Sequence, residues 1–235
     1  MSPKEYVETF DEGPGGWCGW ISNQGGPKPL EWTEQGITSR SPWWVDYNHA
    51  PPGAGYLHML AALNTAGPET EANMDAGGPN RFIAGGFPVD FTGASLTVRL
   101  QGELRTRGAA PVLLIQGVVE GICSGWALTE QPLTVSEDWS EQTLTLEPDP
   151  AHWTPLGSRH NRTDTYGVKP LARVLAGVNA NIMFIMFPLK VVPMGPLDGD
   201  PHVLRPEREY PIWRSELPEG YVTVGSVRVR FAGQP

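Results

Sequence analysis

The 235-residue sequence has only two cysteines, Cys18 and Cys123, and no Lys/Arg run longer than two residues. Nor does it contain an apolar stretch near the ~20 residues that a membrane helix requires. Each shortage excludes something. Two thiols cannot staple a disulfide scaffold, and a chain this long needs none, because it can bury roughly 70% or more of the surface its unfolded form exposes. Seventeen basic against 26 acidic residues give a formal charge of −9, which repels phosphate backbones and argues against nucleic acid as a partner. The opening Met-Ser-Pro-Lys-Glu-Tyr-Val-Glu has no continuous apolar core of a secretion signal. A cytoplasmic protein with two reduced, buried thiols and no membrane contact is therefore expected. No internal repeat, Gly-x-Ser-x-Gly elbow, phosphate-binding loop, dinucleotide fingerprint or His-Glu-x-x-His occurs, so no familiar enzyme class is supported.

Glycine and proline are abundant instead, at 28 and 24 residues, and nine tryptophans stand in a chain that is only 18% charged. Scattered Gly and Pro make long helices improbable, while the apolar surface suffices to offset ordering entropy. Gly36-Ile37-Thr38-Ser39-Arg40, Ser95-Leu96-Thr97-Val98-Arg99-Leu100 and Thr143-Leu144-Thr145-Leu146-Glu147 alternate with period two, as strands with one buried face do. The segment Tyr221-Val222-Thr223-Val224 through Phe231 alternates in the same way and predicts a closing strand. Residues 112–119, apolar but for Gln116, and 182–187, apolar throughout, predict central strands covered on both sides. One short helix is predicted over 170–179, with Pro170 at its first position and Leu171, Val174, Leu175 and Val178 on one face. Loops are expected over 64–82 and 194–213. Together these patterns predict an all-β, jelly-roll β-sandwich with one short helix, forming a single domain over residues 1–235.

The opening Glu8-Thr9-Phe10-Asp11-Glu12-Gly13, followed by Trp17 and Trp20, resembles the F-(D/E)-x-G…W start of galactose-binding-like jelly rolls. Several later features follow in order: Trp43-Trp44-Val45-Asp46-Tyr47, the strand at Ser95, Trp139, Trp153, Arg173-Val174-Leu175-Ala176-Gly177-Val178-Asn179, and the final Gly225-Ser226-Val227-Arg228-Val229. That order resembles the laminin IV type A (laminin B) domain and its bacterial relatives. The resemblance implies a jelly roll of a kind often used to bind carbohydrate. It also implies a structural calcium between the first and last strands, for which Glu8, Asp11 and Glu12 would be hard oxygen ligands. The closing strand departs from that pattern, reading Gly225-Ser226-Val227 where an aspartate would be expected.

Two segments concentrate groups able to carry chemistry. In the first, Trp43, Trp44, Asp46, Tyr47, Asn48, His49 and His58 combine flat apolar faces with donors and acceptors, as a site for a polyhydroxylated ring would; the structural alternative puts either tryptophan in the core. In the second, Arg159, His160, Arg162, Asp164 and Tyr166 offer guanidinium forks beside a carboxylate and a histidine; the alternative is a solvated loop or a helix cap. Arg81, Phe82 and Trp126 would wall the same pocket or plug the sandwich end. The function these residues suggest is binding of a carbohydrate or similar polar ring compound. An enzyme acting on a small glycoside-like substrate, with His49, His58 or His160 as acid–base groups beside Asp46 or Asp164, remains open. So does an interaction subunit, including a homo-oligomer formed through strand edges.

Overall fold

The computed structural model describes residues 5–22, 26–46, 56–66, 76–156, 164–189 and 216–233. Their strands build two six-stranded antiparallel sheets and a separate hairpin of β2 (Gly19–Ser22) and β3 (Gly26–Lys28). The first sheet runs β11 (Ser140–Thr145), β8 (Ser95–Arg105), β14 (Glu219–Arg230), β5 (Gly36–Arg40), β4 (Glu31–Thr33). Strand β14 is the long spine of that sheet. Its first half pairs with β5, Tyr221 opposite Arg40, and its second half with β1 (Glu5–Glu8), Val227 opposite Glu8, while β8 flanks both halves. The first and last strands of the chain thus close one sheet. The second sheet runs β12 (Thr154–Leu156), β10 (Ile122–Ala127), β9 (Ala110–Val119), β13 (Asn181–Leu189), β7 (Tyr56–Asn64), β6 (Val45–Asp46). The result is the expected all-β sandwich.

The alternating strands behave as their pattern requires. Along β8, Leu96, Val98 and Leu100 are buried toward the second sheet. Their neighbours face outward, where Thr97 pairs with Thr143 through their hydroxyls at 2.8 Å and the Arg99 guanidinium lies 3.8 Å over the Trp139 ring. The continuously apolar strands behave differently. Leu113, Ile115, Ile182, Phe184 and Met186 point into the core between the sheets, whereas Val112, Leu114, Met183, Ile185 and Phe187 join Leu57, Ala62, Ala127 and Leu156 in a second apolar cluster. The second sheet therefore buries both faces, which is why β9 and β13 lack polar alternation.

Aromatic rings close one end of the inter-sheet core. Tyr6 and Phe82 meet edge to face at 5.1 Å, Phe91 and Phe231 at 5.4 Å, and Trp17 stacks on Phe184 at 5.5 Å. Such contacts contribute ~0.5–1.5 kcal/mol each beyond their area. Both cysteines are buried, and burial pushes the Cys18 thiol up to about 12, far from reactivity. No described helix is long and apolar enough to cross a membrane.

The helix predicted over 170–179 is shorter than its periodicity suggests. It spans only Leu171–Leu175 (α2, numbered after α1 below), with Pro170 just before it rather than at its first position. Leu171, Val174, Leu175 and Val178 are nonetheless buried as expected. A second helix, α1 (Arg81–Ala84), begins inside the segment expected to be loop, and a 3-10 turn occupies Pro150–His152. The signal for α1 was Asn80, whose side-chain oxygen accepts from the Ile83 N–H at 3.0 Å as an N-cap.

Close approach of α2 to the second sheet depends on Gly117, where a Cβ would stand 2.2 Å from the Gly177 carbonyl oxygen. Two backbones meet there, so no side chain can give way. Gly117→Ala is predicted to cost about 1–3 kcal/mol of stability, read as a lowered urea midpoint at unchanged m-value.

Candidate functional site

Much of the predicted ligand-binding segment is core. Trp43 and Trp44 are 2% and 1% exposed, so neither presents a face to a ligand. This corrects their assignment as a stacking platform. The indole N–H of Trp43 donates to Ser39 Oγ at 2.9 Å, and its ring lies 5.8 Å from that of His58. The reason lies in β6, which pairs antiparallel with β7 and places Val45 opposite His58, drawing the tryptophans in with it.

His58 is fully buried and likewise corrects its assignment as an accessible acid–base group. Its Nδ1 lies 2.9 Å from the Trp44 carbonyl oxygen. A carbonyl can only accept, so Nδ1 carries the proton and the neutral ring leaves Nε2 as a bare acceptor, with no hydrogen-bond partner among the described residues. Desolvation lowers its pKa to about 4, against the weaker upward pull of the Trp44 carbonyl. Such a ring holds the β6–β7 corner, with none of its surface exposed.

Arg81 and Phe82 also turn inward. Phe82 is fully buried, and the Arg81 guanidinium makes a two-pronged ion pair with Glu8, Nε to Oε2 at 2.8 Å and Nη2 to Oε1 at 2.7 Å. Glu8, expected at a calcium site, is itself buried, while Asp11 and Glu12 are exposed. Trp126 is 8% exposed, packs in the inter-sheet core and donates to the Lys169 carbonyl at 3.0 Å. Asp164 lies in a turn and Tyr166 is bridged to Cys123 through the backbone, beside β10. Asp46 belongs to β6, across from Leu57. Tyr47, Asn48, His49, Arg159, His160 and Arg162 lie outside the described residues.

What the structure does assemble is a cleft of about 520 Å³ at one end of the sandwich, lined by Ser41, Pro42, Trp43, Arg107 and residues 216–219. Three connections meet there: the β5–β6 link, the β8–β9 turn, and the approach to β14. Ser41 ties two of them, its N–H donating to the Gly220 carbonyl at 3.0 Å and its hydroxyl accepting from the Gly220 N–H at 3.1 Å. Arg107 sits in the β8–β9 turn with a left-handed φ of 53°. Its Nη2 lies 2.8 Å from Glu216 Oε2 and 3.5 Å from Glu219 Oε1, and the latter oxygen also accepts from Arg105 at 3.0 Å. Pro42, Leu217 and Pro218 supply the apolar lining. The volume falls in the range of small-molecule sites, and an apolar lining with a few polar groups is their usual chemistry.

Of these residues, only Trp43 was among those singled out by sequence. The Arg105-Thr106-Arg107-Gly108 turn between two predicted strands, and the Glu216-x-x-Glu219 pair just before the closing strand, were the signals for the rest. They are more than 100 residues apart, and only the pairing of β8 with β14, Glu219 opposite Arg105, brings them together.

Replacing either buried tryptophan, as Trp43→Ala or Trp44→Ala, is predicted to cost ~3–5 kcal/mol in unfolding free energy, the range for large core truncations. His58 produces a pH dependence whose sign follows from its lowered folded pKa. The unfolded chain binds the proton more readily, so the stabilising contribution is complete above the unfolded value of about 6.5 and lost as pH falls toward 4. The loss is on the order of 3 kcal/mol. Urea titrations from pH 7 to 4 should show this slope, and His58→Gln should flatten it.

No family model matches the chain, and no curated protein matches it. Among solved structures it is similar to the L4b domain of human laminin alpha-2, with 10% sequence identity over 98% of this chain and 98% of that chain, at a TM-score of 0.43.

Proposed function

We propose that the protein is a binding domain for a carbohydrate or a similar polar ring compound, and that the ligand sits in the cleft between Arg107, residues 216–219 and the Ser41–Trp43 link. The observation that supports this most directly is the charged rim of that cleft. Arg107, Arg105, Glu216 and Glu219 are 38%, 66%, 75% and 51% exposed at their side chains. Exposed ion pairs of this kind contribute only ~0–1 kcal/mol to folding. Their donors and acceptors are therefore exchangeable at little cost, with carboxylates accepting from sugar hydroxyls and the guanidinium donating to ring or hydroxyl oxygens. The apolar lining suits the C–H face of a ring.

Binding is favoured over turnover because the histidine available for acid–base work in the described part of the segment, His58, is sealed in the core. A hydrolase would need an acid and a base reaching one bond from the cleft.

Thermal unfolding across a panel of mono- and oligosaccharides and sugar acids tests the proposal. A ligand at 100 times its dissociation constant should add about 2.7 kcal/mol. Arg107→Ala and Glu216→Gln should each abolish that shift while changing the ligand-free stability by less than ~1 kcal/mol. A shift that survives both variants would place the ligand elsewhere.

A further inference from the structure

The chain leaving β1 curls around a single side chain. Phe10 and Gly13 adopt left-handed backbone angles, φ 62° and 106°. The carbonyl oxygens of Glu12 and Gly13 accept from the Arg81 guanidinium, at 3.2 Å to Nη1 and 2.7 Å to Nη2. The Glu8 carboxylate closes the other side through both its oxygens. Four oxygens from residues 8–13 thus converge on one positive group. Two carboxylate oxygens and two peptide carbonyls are the donor chemistry of a calcium loop, which holds its ion at ~2.3–2.6 Å. Here the spacing is that of charge-assisted N–H···O bonds.

A calcium ion of the kind the sequence resemblance implies does not fit this arrangement. Both oxygens of Glu8 are engaged by Arg81, and Oε1 also accepts the Phe10 N–H at 2.8 Å. Asp11 Oδ2 accepts the Thr9 hydroxyl at 2.7 Å. Among the described residues no group of three His, Cys, Asp or Glu side chains is placed to hold a metal. The surroundings are fitted to the guanidinium as well, since a Cβ at Gly15 would stand 2.0 Å from Glu8 Oε2 and 2.8 Å from Arg81 Nη2. A dication beside Arg81 would meet a like charge and compete with it for the same two Glu8 oxygens.

We propose that Arg81 supplies from within the chain the cation around which the opening loop closes, making residues 8–13 a calcium-type oxygen cradle that is permanently filled and independent of metal. Arg81 is the first residue of α1, and its N–H also donates to the Gly15 carbonyl at 3.1 Å. The guanidinium therefore fastens β1 to an element more than 70 residues distant. In a metal-dependent loop the same link would vary with calcium supply; here it is built in.

Thermal and urea unfolding of the purified chain in millimolar calcium chloride, magnesium chloride or EDTA tests this. The unaltered protein should give the same midpoint in all three; stabilisation by calcium or loss in EDTA would overturn the proposal. Arg81→Ala leaves Glu8 buried without a counter-charge and should lower the folding equilibrium constant on the order of a hundredfold. Calcium should then recover at least tenfold, and magnesium less, because it demands a tighter octahedral shell. Arg81→Gln, which keeps an amide donor but removes the charge, is the milder companion should the alanine variant not fold, and it should show the same calcium recovery. Unchanged stability in the variants, or a loss that calcium does not recover, would show that Arg81 does not stand in a cation's place.

Discussion

Burial of both faces of the second sheet is the constraint on which the rest of this structure depends. A sheet packed on one side can present polar residues to water on the other, as the first sheet does with Thr97, Thr143, Arg99 and Arg228. Strands β9 and β13 have no such option, because Val112, Leu114, Met183, Ile185 and Phe187 are as deeply buried as the residues facing the inter-sheet core. Fully burying side chains of this size stabilises by ~1.5–3 kcal/mol each, so the central sheet is where the fold's cohesion concentrates. Its neighbours must accommodate it. Strand β7 carries His58 and β6 follows Trp44, and both are drawn into an environment that accepts rings but not charge.

That constraint explains why the aromatic cluster around residue 43 is structural. Trp, Tyr and His are amphipathic, and in a sequence the same residues serve equally well as a platform for a ligand or as large core fillers with one polar atom to satisfy. Trp43 settles its indole N–H on Ser39, and His58 settles Nδ1 on a carbonyl. The exposed charges gather at the sandwich end, where the β8–β9 turn supplies Arg107, and the approach to β14 and its first residue supply Glu216 and Glu219.

The Glu8–Arg81 pair is a second, local constraint. A buried carboxylate is tolerated only when its oxygens are fully engaged, and here a two-pronged guanidinium and a backbone N–H engage them. The acidic motif that opens the chain resembles a calcium loop because the oxygens are of the right kind. The cation that meets them comes from a residue 73 positions away in sequence, which no local motif could reveal.

Periodicity alone determined the class of the fold, because the two-residue alternation of β8 and β14 and the nearly continuous apolar runs of β9 and β13 are direct records of how many faces each strand buries. It also placed the apolar face of α2, though not its length, since the helix stops at Leu175 while Val178 is still buried beyond it. Tertiary structure decided the site. Whether Trp44 meets solvent, whether His58 keeps a proton, which cation Glu8 holds, and that Arg107 stands beside Glu216 all depend on pairings between distant strands. Contacts of that range are set by the joint packing of two sheets, and a residue's type reports only what it is able to do once it arrives there.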